Sequence, residues 1–474
     1  MTRPESTPSL PPSTGRDELR PLPPAPSSLW RIVGPGVVAS GVGLSSGEFV
    51  LWPYIASQVG LVFLWGAVLG VITQFFINME IERYTLATGE TALAGFNRIW
   101  RHAGLAFVLM VCFGNLWPGW VMSAATLCTY VFGGSARGIA IVALLVIGAA
   151  LTLAPVVYEA LERLVFVKVA AVLVLVALAI ALVIRADTWT ALAAGVAHTG
   201  RFPDALSFSL LMGAIAFAGA GGGQNLCQSN WIRDKGFGMG RYVPRLVSPI
   251  TGEDTPTPRA PRYLFEPTPE NLERWRGWWR LANVEQAIAF AGVTVLTITI
   301  TSMLAHALLF GRADLPNGIA FLALEGRALA ERVGPWFGVL FWLIGALSLF
   351  TAAMGIVDYT SRLAADVLKA GYVRARGVSE SRVYFRIVWL LVLSGVAILA
   401  AGVDQPLVLL VVSACVGGTA MCVYSALLIV LNRRHLVAAI RVGGFRLAVL
   451  AWSALFYGTL AILTILQEAR RLLR

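Results

Sequence analysis

Charge is scarce in this chain. Only 13% of its 474 residues are Asp, Glu, Lys or Arg, against 57% that are hydrophobic, and the mean hydropathy is +0.73. A soluble domain of that balance would leave wide apolar patches facing water, so lipid must be the solvent for most of the chain. Histidine is scarcer still: His102, His198, His306 and His435 are the only four, and none has a second histidine at ligand spacing. The five cysteines (Cys112, Cys128, Cys227, Cys415, Cys422) are scattered through apolar segments and never form a short pair. That excludes a disulfide framework and a thiolate metal centre and leaves them as small buried hydrophobes. A phosphate-cradling glycine loop is missing too. No cofactor and no enzyme chemistry are expected, and the energy source left is an ion gradient.

What the chain has in abundance is apolar length. Gly138 to Ala154, Leu164 to Ile184, Val284 to Phe310 and Leu390 to Ala401 are long and nearly uncharged, enough at about 1.5 Å per residue to cross a hydrocarbon core. Eleven spans are expected in an all-α polytopic membrane protein. Residues 1–28, rich in Pro, Ser and Thr, read as a disordered tail. Spans 1 to 5 occupy 29–185, spans 6 to 10 occupy 205–432 around an insertion at 233–282, and an eleventh covers 444–468. A net charge of +11 could suggest nucleic acid, but its distribution points to a bilayer instead. With the N-terminus cytoplasmic, 28 of the 37 Lys and Arg residues, Lys168 among them, fall on the cytoplasmic side. This is the positive-inside pattern of a cell-membrane (inner-membrane) protein.

The insertion ends in Thr268-Pro269-Glu270, a helix start, followed by Leu272, Trp275, Trp278 and Trp279 among Arg274, Arg276 and Arg280. This alternation suits a helix lying in the membrane interface, or one that docks a partner. Glu80, Glu82 and Arg83 close the second span and are expected at the same surface. Asp358, Arg362 and Asp366 recur every four residues in the eighth span and share a helix face, as an ion-pair ladder or a gate would.

Two spans are odd in the same way. The first contains Gly34-Pro35-Gly36, Gly41, Gly43, Ser45, Ser46, Gly47 and Glu48; the sixth contains Gly213, Gly219, Gly221, Gly222, Gly223, Gln224 and Asn225. Glycine costs a helix interior about 1 kcal/mol against alanine, and freed backbone groups in lipid must meet protein, water or a ligand. Close helix packing also uses glycine, but three consecutive glycines beside Gln and Asn exceed that need. If the two sets of five spans are inverted repeats, the interruptions correspond, as in transporters with a binding site at mid-membrane.

Gly34-Pro35-Gly36-Val37-Val38-Ala39-Ser40, Thr88-Gly89-Glu90, the Glu159 to Arg163 stretch and Asn432-Arg433 resemble landmarks of the Nramp family of proton-coupled divalent metal transporters. The resemblance runs through 29–468 and implies a LeuT-type fold, with helices 1 and 6 unwound at mid-membrane. It does not carry the family's metal site. The Asp-Pro-Gly-Asn signature falls on Ser45-Ser46-Gly47-Glu48, and Met-Pro-His-Asn falls on Gly222-Gly223-Gln224-Asn225. Aromatic residues near Trp117 and Trp120 replace the third-span acids. With soft donors gone, transition-metal import is not implied.

Three readings of the altered site stay open. A small anion such as bicarbonate, or a carboxylate, would sit on the free N–H groups of Gly222, Gly223, Gln224 and Asn225 and on Ser45, Ser46 and Gly47. Glu48, buried and protonated, would then move a proton with it. A hard divalent cation such as Mg would use Glu48, Ser45 and Gln224, with Asn225 and the Gly219 carbonyl. A non-transporting sensor would use the insertion as its output.

Overall fold

The computed structural model of the chain describes residues 17–26, 35–153, 157–243, 262–316, 318–372, 379–403 and 405–472. Among these, nine helices are long and apolar enough to cross a membrane. The other two of the eleven expected spans are hidden in that count. The first and second spans run together as Gly36–Thr88, and the sixth is split into two short pieces, Phe208–Ala216 and Gly223–Lys235. The protein is thus an all-α multi-pass membrane protein.

Local chemistry sets where the spans begin. Ser207, Thr268 and Ser379 each cap a helix, accepting the N–H of Leu210 (3.2 Å), Asn271 (3.3 Å) and Arg382 (3.1 Å). These caps start the sixth, seventh and ninth spans. Pro269, Pro335 and Pro406 occupy first helical positions, where a missing N–H costs nothing. The second span, Leu64–Thr88, ends on Gly89 in the left-handed region.

The face rich in Arg and Lys departs from expectation in three ways. First, the tail is structured over 17–26: Asp17–Leu19 pairs in parallel with Arg262–Leu264. Arg262 Nη2 meets Asp17 Oδ2 at 2.5 Å, Leu22 is fully buried, and its N–H donates to Asn271 Oδ1 at 3.1 Å. A strand whose partner lies 245 residues away leaves no local signal in a Pro- and Ser-rich segment. Residues 1–16 and 27–34 of the tail and first span, and 244–261 of the insertion, lie outside the described residues.

Second, the tryptophan-rich helix is not a separate interfacial element. Pro269–Glu285 continues through a π turn, Gln286–Gly292, into Val293–Leu309 of the seventh span. Trp275 and Trp278 are buried, and Trp278 Nε1 donates to the Pro23 carbonyl at 2.8 Å. Trp279 lies under the Arg83 guanidinium, 4.1 Å from its ring centroid. The N-terminal segment covers the face that sequence alone leaves to lipid headgroups. Third, Glu80, Glu82 and Arg83 are buried rather than interfacial. Arg83 pairs with Glu80 at 2.6 Å, and Asn432 of the tenth span donates to Glu80 at 3.1 Å.

Candidate functional site

The first span breaks at Leu44 and Ser45. Helix Pro35–Gly43 ends there, and the chain resumes as a π turn, Gly47–Leu51, leading into Trp52–Val59. The break is only two residues long. Glu48 Oε2 accepts the Ser45 N–H at 2.8 Å and closes the new turn, so Ser46 and Gly47 are already helical. The sixth span opens wider: residues 217–222 form turns between its two helical pieces. Gly219 and Gly222 have φ of +115° and +66°, which an L side chain would resist. The two breaks touch. A Cβ on Gly47 would stand 2.1 Å from the Phe217 carbonyl oxygen.

Between the breaks lies a cavity of about 20 Å³ that Ser45, Ser46, Gly219 and Gln224 line together with Trp120 and Tyr359. It has room for about one water-sized group. Carbonyls freed by the first break are answered by serines: Ser348 Oγ donates to Leu44 O at 2.5 Å, and Ser45 Oγ to Gly43 O at 3.3 Å. Trp120 Nε1 donates to Ser46 Oγ at 3.1 Å and fixes that hydroxyl. The helix that starts at Gly223 has no side-chain cap. Its positive dipole end faces the same region, and Gln224 of its first turn lines the cavity.

Other residues singled out by sequence sit elsewhere. Gly222 packs on Gly417 of the tenth span, and Gly223 lies against Val111 and Tyr359. Asn225 turns from the cavity, donating to Asn78 Oδ1 at 2.6 Å and lying 2.8 Å from the Tyr424 hydroxyl. Glu48 is fully buried and does not line the cavity. Trp117 stands in a break of the third span between Ala103–Asn115 and Gly119–Phe132 and also stays off the cavity.

One residue was missed. Lys168, counted among the cytoplasmic charges by sequence, is fully buried, and its Nζ donates to the Gly41 carbonyl at 2.5 Å. Gly41 lies in the last turn of the first half-helix, whose negative dipole end suits a cation. Lys168 and Glu48 also interact electrostatically. The available signal was its position inside the apolar run Leu164 to Ile184, where snorkelling to the surface needs more length than a lysine in mid-helix has.

The expected gate residues belong to one ion-pair network, in which Arg233 meets Asp234 at 3.6 Å and so links the Arg362 and Asp366 ends. Arg362 Nε binds Asp358 at 2.8 and 2.9 Å, its Nη1 reaches Asp234 of the sixth span, and the Tyr384 hydroxyl donates to Asp358 at 2.7 Å. Asp366 belongs with Arg233 (3.4 Å), which also holds Glu380 at 3.2 Å, and Thr91 donates to Asp366 at 2.5 Å. Together they tie the second half of the sixth span to the eighth and ninth. Among the described residues no group of three or more His, Cys, Asp or Glu could hold a metal.

Comparison with solved structures then decides the fold. An Eremococcus coleocola manganese transporter, solved in complex with an aromatic bis-isothiourea substituted compound, superposes with a TM-score of 0.64, covering 97% of this chain and 90% of that one at 13% identity. The fold is the LeuT type. Two further LeuT-type structures agree: MhsT in complex with L-phenylalanine has a TM-score of 0.54 at 13% identity, covering 94% of this chain and 99% of its own. The nucleobase-cation-symport-1 family transporter Mhp1 has 0.53 at 15%, covering 94% and 93%. No protein-family model matches the sequence, and comparison with curated proteins finds no match. The Nramp resemblance therefore holds for the fold, and the altered motifs sit at the helix breaks of that fold.

Proposed function

We propose that this chain is a secondary transporter of a small anion or carboxylate, such as bicarbonate, moved together with a proton across the cell membrane, with its Arg- and Lys-rich face cytoplasmic. The observation that carries the reading is the helix start at Gly223, without a side-chain cap, whose first-turn Gln224 lines a small cavity together with Ser45 and Ser46. An ionised carboxylate at Glu48 would repel an anion. Lys168 offsets it: its ammonium is buried at the end of the first half-helix, and neither it nor Glu48 lines the cavity. The same lysine opposes a divalent cation. The hard-metal reading keeps one supporting feature, a buried Glu48 Oε1 without a hydrogen-bond partner.

The test is uptake into proteoliposomes of Mn, Mg, bicarbonate and short carboxylates, side by side. Saturable uptake of an anion, with none of Mn, supports the proposal. Mg uptake that Lys168→Met leaves intact or improves would turn the assignment to the hard cation.

A further inference from the structure

Two hydroxyls at the cavity have their roles fixed by the groups that reach them. Ser46 is 3% exposed, and its Oγ accepts the indole N–H of Trp120 at 3.1 Å. An indole nitrogen can only donate, so the Ser46 oxygen is the acceptor and its own hydrogen is not consumed. Tyr359, in the eighth span and 5% exposed, is held in the same sense: Asn115 Nδ2 donates to its hydroxyl at 2.9 Å. The Asn115 amide is itself oriented by Ser413, whose Oγ donates to its Oδ1 at 3.3 Å. Among the described residues, neither the Ser46 nor the Tyr359 hydroxyl donates a hydrogen bond.

Both residues line the cavity between the breaks. A buried donor left without an acceptor is costly, and native structures rarely keep two at one place. One ligand oxygen, or the two oxygens of a single carboxylate, would satisfy both. A metal ion asks the reverse of a hydroxyl, a lone pair turned toward it.

The rest of the wall bears on what carries that oxygen. Val42, Ile356 and Phe217 line the cavity beside the Trp120 ring, whose centroid lies 5.7 Å from that of Phe217. The third oxygen of bicarbonate would lose its hydration against such groups, while a short alkyl group gains by leaving water there. A volume of about 20 Å³ leaves no room for a long chain or a second charged group.

We propose that Ser46 and Tyr359 are the donors that take the carboxylate of a short organic monocarboxylate, its alkyl end lying against Phe217, Val42 and Ile356. Trp120 and Asn115 are positioning residues that keep the two hydroxyls in the donating sense. This narrows the anion reading above, on which it rests, from bicarbonate to an organic acid.

The test is equilibrium binding of radiolabelled propionate to the purified protein at about pH 7, where the acid is ionised. Binding is read rather than flux, because the neutral acid leaks through vesicles. Propionate is expected to bind saturably. Propionamide, of the same shape but with two N–H donors in place of one oxygen, should compete about tenfold less well or worse. Ser46→Ala and Tyr359→Phe should each weaken propionate about tenfold to a hundredfold, the size of a hydrogen bond lost to a charged group, and weaken propionamide less. Trp120→Phe keeps a ring and removes the N–H. It should narrow the preference for propionate over propionamide, which a loss of packing alone would not do. Absence of saturable propionate binding overturns the inference, as does stronger competition by bicarbonate than by unlabelled propionate. Bicarbonate uptake in the proteoliposome panel would then leave the anion reading standing, whereas no uptake of any anion would end both. Propionamide that competes as well as propionate in the wild type overturns the donor assignment without any variant. So do Ser46→Ala and Tyr359→Phe proteins that bind propionate like the wild type.

Discussion

Gly47 shows how much of the site depends on an absent side chain. The two broken spans meet where its Cα faces the Phe217 carbonyl, and a methyl there would force them apart. Gly47→Ala is therefore expected to lower the melting temperature by several degrees, corresponding to about 1–3 kcal/mol of overpacking, and to abolish uptake. A thermal shift in detergent checks the first and proteoliposome flux the second. Glu48→Gln separates substrate classes: an anion should still bind while its proton coupling is lost, whereas a hard cation should no longer bind at all. Glu325, in the short helix Phe321–Arg332 outside the spans, is buried with an unpartnered Oε2, and burial pushes its carboxyl up to about 8. The unfolded chain ionises this group near 4.5 while the folded chain keeps it neutral, so its contribution to stability is lost as pH rises from 4.5 to about 8. Glu325→Gln should accordingly stabilise at neutral pH and do little below pH 4.5, which melting curves at two pH values would show.

At the scale of elements, the ion pair of Arg362 with Asp234 joins the eighth span to the second half of the sixth, and inverted-repeat transporters move such elements against one another. Arg362→Ala takes the guanidinium from the buried Asp358 and Asp234, with Asp234 keeping its contact to Arg233 at 3.6 Å, a change that costs about 3–5 kcal/mol where such pairs have been broken. Faster labelling of Cys227 from the Arg- and Lys-rich face is the expected readout. The breaks themselves were legible in the sequence, because consecutive glycines beside amides in a membrane span have few other uses. The width of the first break was not legible. It depends on whether Glu48 turns back to the Ser45 N–H, a choice of side-chain direction that spacing does not encode. Lys168 was misplaced for a related reason: counting charges near helix ends assumes that each reaches the surface, and this one finds the Gly41 carbonyl instead.

Over the whole molecule, the eleven-span plan was readable from hydropathy and charge asymmetry, since both follow from the bilayer. The covering of the Arg- and Lys-rich face was not, because it rests on pairings between distant segments. Arg262, buried against Asp17, and Trp278, donating to Pro23, tie residues 17–26 to the insertion and the seventh span. Deleting 240–266 removes the strand Arg262–Leu264 and strips that face. Loss of about 3–5 kcal/mol of stability is expected, the size seen when one partner of a buried pair is removed. A deletion that melts like the full chain would show the cover to be dispensable.

The parallel pairing of Asp17–Leu19 with Arg262–Leu264 also dictates an order of events during synthesis. The N-terminal strand leaves the ribosome long before its partner exists, and six spans must be placed in the bilayer while it waits. Its first backbone partners arrive with Arg262, just ahead of the seventh span. The cap over this face is therefore a late product of translation, and a chain stalled before residue 262 should carry a protease-sensitive N-terminus that the finished chain protects.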